Sequence, residues 1–219
     1  PGVVPTTTAP EWMLRSVHLE NPPSASAYAV TRPVSGRARV IGVSSRSLST
    51  RALVLDVNDP ALDVARIAVV ERHRRTGRVG LGYVSGFGLR RGAMVSTVAH
   101  DAHNCMAVGA RDDSGPADMA VGVARLAEIG GGQLAVLDGR VIAEVPLPIG
   151  GLMSTASARD VAQQVGALTE AVSRHLGVTI EAPFMQLSFL GLSVIPELRI
   201  TDRGLVDVER FSLTELTEV

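Results

Sequence analysis

The sequence predicts an α+β fold in which mixed or antiparallel β-sheets pack against two to three helices. Three observations predict it. Short segments rich in β-branched residues, bounded by Gly, Asn-Asp or Ser clusters, fill the first half of the chain. Two amphipathic segments with helical spacing follow. Hairpin signals lie between them and at the end of the chain. Strands first, then helices and hairpins, is the order of an α+β domain.

Taken in order, residues 1–27 read as an arm or linker. Pro5, Pro10, Pro22 and Pro23 deny a regular ladder and leave only a short amphipathic stretch, Trp12–Val17. A tryptophan in such an arm suits an anchor on a neighbouring surface. The domain proper spans 28–219. Strands are expected at Tyr28–Val34, Ala38–Val43, Ala52–Val57, Arg66–Arg72, Gly80–Ser85, Ala93–Ala99 and Cys105–Ala110.

A helix is expected over Ala117–Ile129, with Asp113 or Ser114 to cap it and Met119, Val123 and Leu126 as its buried stripe. Gln133–Leu137, the Asp138-Gly139 turn and Val141–Val145 form a hairpin. Ser157-Ala-Arg-Asp160 resembles a capping box and starts a second helix, whose Val161, Val165, Leu168 and Val172 share one face. A third helix is expected from Pro183 to before Pro196, buried through Phe184, Leu187, Leu190 and Leu192. Ile200–Arg203, Gly204 and Val206–Phe211 read as a closing hairpin.

Composition excludes several functions. The 219 residues fall short of the ~250 of a (β/α)8 barrel, and no eight strand–helix units alternate, so this chain is not by itself a barrel hydrolase. All 21 basic residues are arginine. Without lysine there is no Schiff-base chemistry and no P-loop. The net charge of −1, with arginines scattered, lacks the basic stripe of a nucleic-acid binder. Cys105 alone allows no intrachain disulfide and suits a reducing cytoplasm. No apolar run is long enough for a membrane span. The chain begins at Pro1, which suggests a processed protein or a piece of a longer one.

One cluster concentrates the chemistry: Ala99-His100-Asp101-Ala102-His103-Asn104. In a turn after a strand, His100, Asp101, His103 and Asn104 could converge on one small volume. Imidazole and carboxylate suit a transition metal, and His beside Asp suits proton transfer near neutral pH. The same groups could equally cap backbone and seat an interface. Arg72 and His73, at the end of the preceding strand, form a second candidate, either a base or anion contact or a solvated turn. Gly80-x-Gly82-x3-Gly86-x-Gly88 is not a phosphate loop, because no polar helix start follows. Such glycines permit a close crossing or a bulge. His18 and His175 read as surface residues, and Cys105 as a buried small hydrophobe.

An ordered set of blocks resembles the C-terminal domain of bacterial adenine deaminase. The blocks are Val70-Glu71-Arg72-His73, Gly86-Phe87-Gly88-Leu89, the His100–Asn104 cluster, Gly130-Gly131-Gly132, Leu147–Ser154, Ser188-Phe189-Leu190-Gly191-Leu192 and Thr201–Val208. The resemblance runs from about residue 28 to 211. Ala102 stands where the family often has Ser, and Gly150 where it often has Ala.

The resemblance implies hydrolytic deamination of adenine to hypoxanthine and ammonia in purine salvage. It implies a partner, an amidohydrolase-type barrel holding manganese or iron, absent from this chain, which alone is not catalytically complete. His100, Asp101, His103 and Asn104 would support the active site from the face turned to the barrel. Arg72 and His73 would lie on the substrate side. A cytoplasmic homo-oligomer is expected, with no nucleic acid and no membrane. Two alternatives stand beside this reading: a non-catalytic binding or assembly module, and a stand-alone metal-dependent hydrolase built on His73, His100, Asp101 and His103.

Overall fold

The β-branched runs assemble into one large sheet. The structure, a computed structural model, describes residues 9–14, 16–19, 21–30, 33–45 and 47–217. The strands are β1 (Arg37–Ser44), β2 (Ser47–Asp56), β3 (Ala65–Val70), β4 (Val79–Ser85), β5 (Ala93–Ser96), β6 (Cys105–Gly109), β7 (Gly132–Leu137) and β8 (Arg140–Pro146). They lie in the order β2-β1-β4-β3-β6-β5-β7-β8. Only β1 and β4 run parallel, so the sheet is mixed. Fully buried strands such as β3, β5 and β6 read as continuous apolar runs because both faces are covered.

Helix α2 (Ser114–Ile129) covers one face. Its stripe of Met119, Val123 and Leu126 packs on Val95, Ala107 and Val136 with the ring of Tyr28. The other face carries α3 (Ala158–Ala171), α4 (Pro183–Phe189) and a three-stranded antiparallel sheet. That sheet is β9 (Leu198–Thr201), β10 (Gly204–Asp207) and β11 (Ser212–Thr214). It presses closely on β4: a Cβ at Gly80 would stand 1.9 Å from the Thr201 carbonyl oxygen, and one at Gly82 3.0 Å from Leu205. These glycines therefore permit a crossing of sheets. A four-residue helix α1 (Glu11–Leu14) lies in the arm, and a π-helical turn, Val172–Leu176, continues α3. No helix among the described residues is long and apolar enough to cross a membrane.

Four local expectations change. Residues 25–28 form a 3-10 turn rather than the start of a strand at Tyr28–Val34, because Tyr28 buries its ring under α2 and Pro33 has no N–H to donate. Residues 31 and 32 of that segment lie outside the described residues. Asp113 holds the N-cap position of α2 but makes no capping bond with its side chain: Asp112 Oδ1 instead accepts the Ser114 and Gly115 N–H groups at 3.2 and 3.3 Å. The third helix stops at Phe189, where Arg199 donates to the Phe189 and Ile195 carbonyls and folds the following segment back. The closing hairpin turns at Gly204 as expected, but its second arm breaks into β10 and β11 around Phe211.

Candidate functional site

The sheet end where β3, β5 and β8 finish gathers the chemistry. Strand β5 ends at Ser96 because Thr97 turns away: its hydroxyl donates to the Gly151 carbonyl at 2.6 Å and accepts the Gly132 N–H at 2.8 Å. The loop 97–104 then returns to β6. His100 donates its N–H to the Ser188 carbonyl at 2.8 Å, and its ring lies 4.8 Å from that of Phe189. The His100 and His103 rings meet edge-on at 5.8 Å. Asp101 and Ala102 are exposed. Asn104 is buried, and its Oδ1 accepts the Arg72 N–H at 3.4 Å.

His103 sits at φ +47°, a left-handed conformation that non-glycine residues seldom adopt. Several contacts hold it there. Its N–H donates to the Ala99 carbonyl at 2.6 Å, its Nδ1 faces the Ala99 N–H at 3.4 Å, and its carbonyl accepts from Arg72 Nε. With Nδ1 accepting, the neutral ring carries its proton on Nε2. Burial, then the nearby His100 and Arg72, lower the His103 pKa, and Asp101 only partly opposes them. The ring is thus a neutral hydrogen-bond donor near pH 7.

The β3–β4 connection supports this loop from below. Glu71 folds back to accept the N–H groups of His73, Arg74 and Thr76 and the Thr76 hydroxyl. Burial pushes its carboxyl up, but these donors outweigh burial and bring it to about 2. The ordered turn presents His73, exposed, whose Nε2 lies 2.7 Å from the Ala102 carbonyl. Arg72 points the opposite way. It is 1% exposed, and its fork reaches the carbonyls of His103, Gly150 and Ser16, the last two at 3.0 and 3.4 Å. The six residues singled out in the sequence thus share one end of the sheet, with Arg72 beneath the loop and His73 on its open side.

A cavity of about 280 Å³ opens beside the loop between His100, Asp101, Asn104, Leu192, Val194 and Thr201. A second, about 420 Å³, lies between α3 and α4 and also touches His100. Exposed apolar side chains line these openings, and others stand near the Gly150–Gly151 turn. Val165 and Met185 line the larger cavity and Val194 the smaller. Met153 follows the Gly150–Gly151 turn, and Trp12, 72% exposed, neighbours Met13, whose carbonyl accepts the Gly150 N–H. The helical spacing places Val165 inside with the rest of the α3 stripe; Val161 and Leu168 do pack on the core, but Val165 is 42% exposed and lines the cavity between α3 and α4. Among the described residues, no group of three or more His, Cys, Asp or Glu side chains is arranged to hold a metal ion.

Sequence reasoning missed Ser16, Thr97 and Gly151, which brace the loop from distant segments, and Arg199, which sets the end of α4 and hence Phe189. No local pattern marks them. Only the fold brings residues 16, 72, 103 and 150 together.

Fold and site together define an α+β domain that presents a braced His-Asp-His-Asn loop on an apolar rim. Residues 44–212 match the family model described as adenine deaminase C-terminal domain. Similar proteins named adenine deaminase include those of Desulfatibacillum aliphaticivorans, 46% identical over 84% of this chain, and Clostridium botulinum, 39% identical over 98%. That of Cereibacter sphaeroides is 54% identical over 71%. The chain belongs to the adenine deaminase C-terminal domain family. It spans about a third of the length of those relatives: 33%, 37% and 26% in the same order.

Proposed function

We propose that this chain is the C-terminal part of an enzyme that hydrolyses adenine to hypoxanthine and ammonia. It would form one wall of an active site whose remainder lies in an amidohydrolase-type barrel. The observation that carries this reading is the coincidence of the His100–Asn104 loop with two cavities that both touch His100 and are lined by the exposed Val165, Met185 and Val194. Exposed apolar groups beside polar chemistry mark a surface that another body covers. The relatives, being about three times as long, have the chain length for such a body. Manganese or iron belongs to the barrel in this proposal, as does the water that attacks. The proposal also takes the assembly to be a cytoplasmic homo-oligomer serving purine salvage.

Within it, this chain's groups do what their geometry suits. The neutral His103 donates Nε2–H to an acceptor on the purine ring, fixing the ring's orientation. Asp101, exposed on the same loop, is a carboxylate able to receive a proton or an amine hydrogen bond. His100 packs on Phe189 and orders the loop, and Asn104 pins the loop to the strand below. His73, beside Ala102, meets substrate or the barrel at the edge.

The test is kinetic. In the complete enzyme, His103→Phe, which keeps a ring but removes the Nε2–H donor, should lower kcat by about two- to tenfold while melting stays within a degree or two, since one charge-free donor is worth about 0.5–1.5 kcal/mol. Unchanged kcat and KM would reduce the cluster to packing.

A further inference from the structure

Arg72 is the side chain whose placement the deamination reading does not explain. A charged group buried to this degree ordinarily meets a carboxylate. The neighbouring Glu71 carboxylate is instead spent on its own turn. What the guanidinium meets is main chain: the carbonyls of His103, Gly150 and Ser16, and the Ser16 hydroxyl at 3.5 Å. Each belongs to a different segment, namely the histidine loop, the turn after β8 and the arm.

We propose that Arg72 is the positioning residue of this site, its planar fork tying the left-handed His103 to the arm and to the Gly150–Gly151 turn. The proposal rests on the reading of the loop as part of a deaminase active site, and it names the device that holds His103. Three further observations carry it. A non-glycine residue at φ +47° persists only where its surroundings over-determine it, and the Arg72 fork supplies one of the few bonds that do so. The Arg72 N–H also engages Asn104, and its carbonyl accepts the His18 N–H at 2.9 Å, so one residue grips both ends of the loop's return and the arm. Finally, a Cβ at Gly151 would lie 2.8 Å from Nη1 and 3.1 Å from Cζ, so the turn is shaped around the guanidinium.

The fork acts in two ways. It fixes where the His103 ring points, and its positive charge disfavours protonation of that ring. The titratable groups facing His103 are His100 and Asp101 of its own loop and Arg72 and His73 of the β3 end. Of these, only Asp101 favours the imidazolium. Lysine cannot replace the fork, because an ammonium is a point charge that cannot span three carbonyls in one plane.

Two variants of the folded chain separate these effects, Arg72→Met and Arg72→Lys, each read by amide exchange of His103 and by NMR titration of its imidazole. Arg72→Met is expected to speed His103 amide exchange by at least about tenfold, the factor carried by one hydrogen bond from a charged group. It should also move the imidazole titration to higher pH. Arg72→Lys is expected to keep the titration where it was but not the protection. Amides of β7 serve as the control for global folding. Unmoved exchange and titration in folded Arg72→Met, or full restoration of both by lysine, overturns the proposal. Should Arg72→Met fail to fold, wild-type His103 protection in Arg72→Lys overturns it on its own. These readouts use no substrate, so they stand or fall apart from the deaminase reading, which the His103→Phe kinetics address.

Discussion

Replacing Gly151 with alanine probes the packing around Arg72 with a built-in reference. Gly151 and Gly139 have the same backbone angle, φ +73°. An alanine at either position bears the left-handed cost of about 1–2 kcal/mol. At Gly139 a Cβ meets nothing within 4 Å. At Gly151 it stands 2.8 Å from Arg72 Nη1, with Cζ and Nη2 both at 3.1 Å. The guanidinium cannot swing aside without losing the His103 and Gly150 carbonyls, so an overpacking cost of about 1–3 kcal/mol is added. Gly151→Ala should therefore destabilise by about 2–5 kcal/mol and Gly139→Ala by about 1–2. Urea unfolding followed by circular dichroism measures both, with equal m values as the check that the denatured states match. Equal losses in the two variants would mean that the guanidinium is not confined, and the account of Arg72 would fail.

Three further outcomes are expected. The Glu71 carboxyl is held at about 2 instead of its ordinary 4.5, so its contribution is complete above pH 4.5 and disappears as pH falls through about 2. Acid titrations of wild type and Glu71→Gln should accordingly converge at the acid end, and parallel curves would contradict the role given to that turn. Leu168→Ala removes the buried anchor of α3 and should cost about 2–5 kcal/mol in chemical unfolding, with a loss below about 1 showing that α3 is only loosely seated. His103→Phe should lower turnover of the complete enzyme without lowering its melting temperature, as set out above.

How much of this was legible beforehand depended on whether the signal was local. The start of α3 was legible: Ser157 Oγ accepts the Asp160 N–H at 3.2 Å, the first half of a capping box, while the shorter aspartate takes the Ser157 hydroxyl at 2.7 Å in place of the reciprocal backbone bond. The hairpin at Asp138-Gly139 and the stripe of α2 were legible for the same reason. Tyr28–Val34 looked like a strand because tyrosine and valine favour strands, yet a tertiary demand, burial of the Tyr28 ring under α2, overrode that preference. The polar cluster at 100–104 was legible as chemistry, but its support was not. An arginine at a strand end ordinarily points to water, and nothing near position 72 in the chain announces that carbonyls 31 and 78 residues away will surround it. Val165 failed for a tertiary reason: helical spacing placed it inward, while the fold leaves it lining the cavity between α3 and α4.

The rim itself is the claim on which the rest depends, and hydrogen–deuterium exchange of this domain, alone and within the complete enzyme, tests it most directly. Protection gained on assembly should fall on the peptides holding residues 99–104, 153, 185 and 194, while residues 57–64 and 88–90 at the other end of the sheet stay unchanged. Protection of that opposite end, with the histidine loop exchanging as freely as in the isolated domain, would contradict the account.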